Sequence, residues 1–311
     1  MMEFTAQDVK ELREMTGVGM MDCKKALTES DGDKEKAVLW LREKGLAAAQ
    51  KKAGRIAAEG MAYADVIDGV GIIVEVNAET DFVAKNDKFV DFVKGVAKTI
   101  AANGAQDVEA LKAYQYDGTD RTVAEQIQEM ILVIGENITI RRFRRYTDGF
   151  NVPYVHAGGK IGVMVSMDVS GISDMDAVTV LGKDIAMQIA SMRPLYLDTT
   201  SVDPAELEKE REVQLAKAIE ENKAKDLPDD KARKIAENMV KGRINKFYED
   251  ICLLNQPYVR ENKLTVDQHI KQVAKELGGS IAVRDFTRYE KGEGIEKRES
   301  NFAGEIASMI K

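Results

Sequence analysis

Few residues of this 311-residue chain have the types and spacing that covalent chemistry requires. The only imidazoles are His156 and His269, and the only thiols are Cys23 and Cys252, which have no CxxC spacing. This excludes a zinc site built on clustered Cys and His, and the two thiols give no sign of an oxidising compartment. A Gly-x-Ser-x-Gly motif is also missing, so we predict no catalytic residue and no metal site.

Two glycine-containing patterns fall short of nucleotide-binding loops. Gly17-Val18-Gly19 has Asp22 where a dinucleotide-binding loop has its third glycine, and no strand precedes it. Gly182-Lys183 lacks both the upstream glycine and the following Ser or Thr of a phosphate-binding loop. The sequence therefore predicts no cofactor.

The segment Thr80–Asn86 (TDFVAKN) is unusual, and it lies between a predicted strand and a predicted helix. In one interpretation, Thr80 or Asp81 caps the helix and Phe82 is a buried anchor in its first turn. In the other, a loop displays an aromatic wedge beside a carboxylate, which suits a charged site on another protein. The position of the segment alone leaves both interpretations open.

The arginine-rich run 141–145 (RRFRR) has the composition of a nucleic-acid-binding patch. The whole chain, however, has 45 Lys and Arg against 53 Asp and Glu, a net charge of −8, which opposes attraction to phosphates. The second copy of an internal repeat has RDFTR at 284–288, so only part of the pattern is shared. We therefore expect these arginines to meet acidic neighbours within the fold, with no direct nucleic-acid binding.

The length of the chain corresponds to about two domains with room for a small third. Hydrophobic residues make up 44% and charged residues 32%, enough apolar material for packed cores under a solvated surface. No run of about 18 apolar residues is present, and the first residues open no signal peptide. We expect a cytoplasmic protein that does not enter membranes.

Residues 5–55 predict three short helices with a modest core. Thr5 with Asp8 makes an N-terminal capping pair for the first helix, and turns with glycine and aspartate separate it from the next two. We expect Gly45 to end the third helix. Residues 47–55 carry no large apolar side chain and predict a linker.

The remaining chain contains an internal repeat. Residues 122–149 align without a gap to residues 265–292, at a constant offset of 143. The first strands also align, 71–74 with 162–165, so the second copy carries 52 extra residues between its first strand and its last helix. Two related subdomains with an insertion in the second explain this pattern, and the predicted fold class is α+β.

The insertion predicts two helices. Asp203-Pro204-Ala205-Glu206 is a helix N-terminal signature, and a second helix follows a break at residues 226–230. Half of residues 203–250 are charged, which is too polar for a core. We expect two antiparallel helices that project into solvent and contact either a partner or a second copy of the chain.

Three segments make the chain similar to the bacterial elongation factor Ts family. They are Leu12–Leu27 (LREMTGVGMMDCKKAL), Thr80–Asn86 and Gly292–Lys297 (GEGIEK), and the similarity runs over the whole chain in the same order. The resemblance implies a nucleotide exchange factor for the GTPase elongation factor Tu, without covalent chemistry. It also implies a ubiquitin-associated-like N-terminal module, a duplicated core and an inserted coiled-coil hairpin.

The same resemblance implies which residues bind the partner. The N-terminal module grips the nucleotide-binding domain of the GTPase, the Thr80–Val83 motif pushes in near its magnesium site, and core positions contact a further domain. Lys183 matches a family contact position, but Asp184 stands where some members have His. The implied set is Met20, Met21 and Lys24 in the module, Thr80, Asp81, Phe82 and Val83 in the motif, Ile134, Gly135 and His156 in the core, and Lys183.

The predicted organisation has five parts. A three-helix module with its linker covers residues 1–55, core subdomain N covers 56–150, core subdomain C covers 151–200 and 259–295, the helical hairpin covers 201–258, and a C-terminal helical module covers 296–311. The alternative function is non-catalytic binding or scaffolding through the three-helix module and the hairpin. A further alternative is an enzyme whose site the sequence does not reveal.

Overall fold

The computed structural model describes residues 4–223 and 229–296, which fall into two compact units. The first unit holds the chain up to Arg145, residues 155–162 and the segment from Tyr289, and the second holds residues 146–154 and 163–288. Helices and strands alternate in both, which confirms the α+β class. The predicted C-terminal module, from residue 297 onward, lies outside the described residues, and the five-part division stays a prediction.

The described helices and strands have the following bounds. In chain order they are α1 (Ala6–Thr16), α2 (Met20–Glu29), α3 (Lys34–Lys52), β1 (Glu59–Ile67), β2 (Val70–Ala78), α4 (Asp81–Ala84), α5 (Asp87–Ala102), α6 (Val108–Lys112), α7 (Val123–Ile134), β3 (Thr139–Tyr146), β4 (Phe150–His156), β5 (Ile161–Ser170), α8 (Met175–Met192), α9 (Pro204–Lys223), α10 (Asp229–Ile251), β6 (Pro257–Tyr258), β7 (Glu261–Thr265), α11 (Val266–Glu276) and β8 (Ser280–Glu290). Within the described ranges, the strands form sheets of order β1-β2-β3, β4-β5-β8 and β6-β7.

The three predicted N-terminal helices are confirmed as α1, α2 and α3. Thr5 caps α1 as expected, because the amide of Asp8 donates to Thr5 Oγ1 at 3.3 Å and the amide of Thr5 donates to Asp8 Oδ2 at 2.8 Å. Gly17 ends α1 in the left-handed conformation, with φ of 67°. The apolar faces of the three helices meet in a small core that includes Leu12 and Leu27.

The predicted end of the third helix at Gly45 is wrong. Helix α3 continues to Lys52, so most of the predicted linker at residues 47–55 is helical. Alanines at 47–49 favour the helix. Gly45 is buried where α3 packs on α7, and a Cβ there would lie 3.4 Å from the carbonyl oxygen of Gln128. The glycine therefore serves a close helix approach and not a helix end.

The predicted strand at residues 70–76 is confirmed as β2, which pairs antiparallel with β1. The connecting Asp68 and Gly69 have φ of 50° and 81°, the two-residue turn that matches strand twist. Strand β1 was not predicted, because its buried positions other than Met61 are glycine or alanine, which give a weak strand signal. Helix α5 packs its apolar side chains on this hairpin, as its spacing predicts.

The internal repeat is confirmed in the order of its elements. Helices α7 and α11 lie at aligned positions, and each is followed by a strand, β3 and β8. Their N-caps are the aligned residues Thr122 and Thr265, and each accepts a hydrogen bond from the amide three residues on. The capping box therefore belongs to both copies.

The inserted segment forms α9 and α10, which pack on each other. Arg243 of α10 pairs with Glu221 of α9 at 2.7 Å, and Ala218 and Ala236 are buried. Charged side chains dominate the remaining surface of both helices. Throughout residues 4–223 and 229–296, no helix combines the length and the apolar character needed to cross a membrane.

The arginine-rich run lies on β3, and its first two side chains bind a buried carboxylate. Glu75 is fully buried, and its oxygens accept from Arg141 Nη1 at 3.0 Å and from Arg142 Nε at 2.6 Å. The amide of Gly292 donates to Glu75 Oε1 at 2.8 Å. Arg145 donates to the carbonyl oxygen of Ala101 at 3.0 Å. These internal contacts agree with the expected structural role of the run.

We predict that Glu75→Gln lowers the free energy of unfolding by about 1.5–3 kcal/mol, because it removes the charge that two arginines and an amide share. Chemical denaturation followed by circular dichroism measures this change. Glu293→Gln is the matched control, since its pair with Arg142 at 3.3 Å is half-exposed. The control should change stability by less than about 1 kcal/mol. Equal effects would contradict the role assigned to Glu75.

Candidate functional site

The segment Thr80–Asn86 forms a short helical turn that displays a phenylalanine. Thr80 caps α4 by accepting from the amide of Val83 at 3.4 Å. Phe82 is 81% exposed, whereas Val83 and Ala84 are buried. The interpretation of Phe82 as a buried anchor is therefore wrong. The residue of this turn that packs in the core is Val83, and the ring of the preceding Phe82 lies on the surface.

A carboxylate lies beside the displayed ring. Asp81 precedes Phe82 and is half-exposed, and Lys85 Nζ lies 3.0 Å from Asp81 Oδ2. The hydrogen bond from Lys85 lowers the pKa of Asp81, and the charge of the ammonium acts in the same direction. The turn thus presents an ionised carboxylate and an aromatic ring side by side.

Two glutamates fix this turn, and we call them the Glu79–Glu136 clamp. Glu136 Oε2 accepts from the amides of Glu79 and Thr80 at 3.1 and 3.0 Å, and Glu136 Oε1 accepts from Thr80 Oγ1 at 2.7 Å. In return, Glu79 Oε1 accepts from the amide of Asn137 at 2.6 Å. The clamp joins the end of β2 to the segment after α7, so the base of the displayed turn has defined backbone positions.

The Glu79–Glu136 clamp was not predicted from the sequence. The only signal is that Glu79 precedes the unusual segment and that Glu136 follows Gly135, which ends α7 with φ of 89°. Nothing in local periodicity says that residues 57 positions apart exchange hydrogen bonds. Such a pairing follows from tertiary structure alone.

A groove of about 400 Å³ lies next to the displayed turn. Phe82, Val83 and Ile134 line one part of it, and the turn at residues 17–19 lines another. Lys88 Nζ donates to the carbonyl oxygen of Gly17 at 3.4 Å. The structure therefore brings one predicted core contact, Ile134, together with the Thr80–Val83 motif. The neighbouring Gly135 is exposed.

The predicted residues of the N-terminal module are also on the surface. Met20 and Met21 are 51% and 75% exposed in the first turn of α2, and Lys24 is exposed one turn further on. Cys23 lies on the opposite, buried face of α2, where burial raises the pKa of its thiol. Large apolar side chains left exposed in this way are typical of a protein-binding surface.

Two predicted residues lie elsewhere. His156 is exposed at the end of β4, and Lys183 is exposed on α8 in the second unit. Asp184, which stands where some family members have His, pairs with Arg260 at 2.8 Å and accepts from the hydroxyl of Tyr258 at 3.3 Å. Its role in the fold explains an acidic residue there.

The candidate site displays an aromatic ring, a carboxylate and two methionines on the protein surface. In the part of the chain that the structure describes, no group of three His, Cys, Asp or Glu side chains could hold a metal ion. The exposed ring, carboxylate and methionines suit contact with another macromolecule, in which aromatic side chains often provide most of the binding energy.

Comparison with known proteins gives a family. The model of the family described as Elongation factor TS matches residues 79–293. A protein named Elongation factor Ts from Magnetococcus marinus is 46% identical over 311 residues, covering 99% of both chains. The proteins of that name from Syntrophotalea carbinolica and Clostridium novyi are 46% and 48% identical, covering 100% and 98% of both chains.

We predict that Phe82→Ala changes the free energy of unfolding by less than about 0.5 kcal/mol, because the ring is exposed and loses little packing. Phe89→Ala is the matched control, since Phe89 is fully buried in the adjacent helix. It should lower stability by about 3–5 kcal/mol. Thermal and chemical unfolding of both variants measure the difference, and similar losses would mean that Phe82 is a core residue.

Proposed function

The chain belongs to the elongation factor Ts family of translation elongation factors, and from this premise we propose that it binds elongation factor Tu carrying GDP and accelerates GDP release. The observation that carries the proposal is the exposed Phe82 beside ionised Asp81 on a turn fixed by the Glu79–Glu136 clamp. A rigidly displayed apolar group can enter a partner with little ordering of its own, so more of the contact energy is available to change the partner.

The proposed mechanism acts on the metal ion of the partner. GDP and Mg²⁺ stabilise each other in a GTPase, since the ion offsets the charge of the phosphates. Phe82 enters near the helices beside the magnesium site, and Asp81 places a negative charge next to it. The groups that hold the ion are displaced, so GDP binding weakens without any contact between this chain and the nucleotide.

Thermodynamic linkage makes this effect reciprocal. If the chain weakens GDP binding by a given factor, GDP weakens binding of the chain by the same factor. After GDP leaves, GTP reloads the partner. Exchange of this kind forms and breaks no covalent bond, so the chain acts as an exchange factor and not as an enzyme of covalent chemistry.

The remaining predicted residues extend the contact surface in this proposal. Met20, Met21 and Lys24 grip the nucleotide-binding domain of elongation factor Tu, and their exposure on one helix supports this role. Ile134, Gly135 and His156 contact a further domain of the partner, and Lys183 adds a contact from the second unit.

We also propose how the helices and strands are grouped into structural modules. We assign α1–α3 to a ubiquitin-associated-like module, the repeated elements to a duplicated core, and α9 with α10 to an antiparallel coiled-coil hairpin. The ion pair between Arg243 and Glu221 and the buried alanines between these two helices support the hairpin. Its exposed surface contacts either the GTPase or a second copy of this chain.

We predict that the wild-type chain strongly accelerates release of a fluorescent GDP analogue from elongation factor Tu, and that Asp81→Ala and Phe82→Ala each reduce the acceleration by about 10-fold or more. Stopped-flow fluorescence with excess unlabelled GDP measures the rate. Leu195→Ala is the matched control, because Leu195 is an exposed apolar residue of the second unit.

The two proposed classes of function give different results in this assay. An unchanged release rate in a stable complex would contradict exchange and favour the scaffolding alternative. Equal losses for Leu195→Ala and Phe82→Ala would contradict the assignment of the wedge.

A further inference from the structure

Asn137 lies where three segments of the first unit meet. Its side chain is 4% exposed, and its Nδ2 donates to the carbonyl oxygen of Arg55 at 2.8 Å. Its backbone amide donates to Glu79 Oε1 as part of the clamp. One residue thus bonds both the chain that leaves the three N-terminal helices and the base of the turn that displays Phe82.

The segment bonded by Asn137 has further contacts with the same region. The guanidinium of Arg55 lies 3.5 Å from Glu79 Oε1, and Lys52 Nζ donates to the carbonyl oxygen of Ile131 near the end of α7 at 3.5 Å. A cation at a helix C-terminus is favourable because unpaired carbonyl groups concentrate negative charge there. The chain at the end of α3 is therefore bonded to Glu79, to Asn137 and to the last turns of α7.

The middle of α3, around Gly45, also packs on the rest of the first unit. Helix α3 packs on α7 at Gly45, and α2, which carries Met20 and Met21, packs on α3. The exposed methionines and the exposed Phe82 consequently belong to one packed framework, and the Asn137 bond to Arg55 is one of the contacts that join its parts.

We propose that Asn137 is a positioning residue that sets the spacing between the Met20–Met21 surface and Phe82, an inference that rests on the proposed exchange function. Two contact points on one partner reinforce each other only when their spacing matches the partner, because the first contact then places the second at high effective concentration. Loss of the Asn137 bond to Arg55 loosens this spacing, so the advantage decreases while each contact point stays intact.

The test is a pair of double-mutant cycles on exchange. Asn137→Ala should lower the second-order rate constant for GDP release by about 3- to 30-fold. In the background of Phe82→Ala or Met21→Ala, the same substitution should have a clearly smaller effect, because only one of the two contact points remains. Glu79→Gln, which keeps an acceptor for the Asn137 amide but weakens the Arg55 pair, should show the same non-additivity at smaller amplitude.

The control separates positioning from stability. Tyr116→Phe also removes a buried hydrogen bond of the first unit, from the Tyr116 hydroxyl to the carbonyl oxygen of Phe92 at 3.2 Å. It should lower the melting temperature but leave exchange within about twofold of wild type when measured well below that temperature. Circular dichroism confirms that each variant is folded.

The outcomes distinguish this inference from the proposed function. If the wild-type chain does not accelerate GDP release, the proposed function fails and this inference fails with it. If the wild-type chain accelerates release but Asn137→Ala has no effect, or one that is additive with both Phe82→Ala and Met21→Ala, the exchange function stands and the positioning role is overturned.

Discussion

The candidate site depends on the Glu79–Glu136 clamp. The exposed ring of Phe82 gains nothing from the core, so its position comes from the buried Val83 and Ala84 that follow it and from the polar groups at the base of its turn. Glu136 accepts three hydrogen bonds from Glu79 and Thr80, and Glu79 accepts one in return from Asn137. Because each carboxylate satisfies amides at the end of another element, neither segment can shift without leaving polar groups unpaired.

Charge pairing within the fold also explains why an acidic protein carries a run of arginines. Glu75 is buried with two of these arginines against it, and the ring of Tyr289 lies under the guanidinium of Arg142 at 4.2 Å. Removal of Arg141 or Arg142 would leave the buried Glu75 carboxylate with one guanidinium in place of two, which is more unfavourable than loss of a surface pair. Contacts within the fold therefore account for two of the arginines, Arg141 and Arg142.

Local signals in the sequence predicted much of the fold. Thr5 with Asp8 marks the start of α1, because capping depends only on neighbouring residues. The constant offset of 143 reveals the repeat by comparison of the two halves of the chain. The helix end predicted at Gly45 was wrong, since the small size of this residue serves contact with α7. The motif identified Phe82, but only tertiary structure shows that Val83 takes the core position. The long-range bonds of Glu136 and Asn137 have no local signature at all.

The central claim is that the chain releases GDP by acting on the magnesium site of elongation factor Tu. Stopped-flow GDP release with and without EDTA, at zero and at saturating concentrations of the chain, tests this most directly. If both agents act on the same ion, EDTA should strongly accelerate release from elongation factor Tu alone but add less than about twofold once the chain is saturating. The same factor for EDTA under both conditions would show that the chain acts independently of Mg²⁺ and would contradict the account.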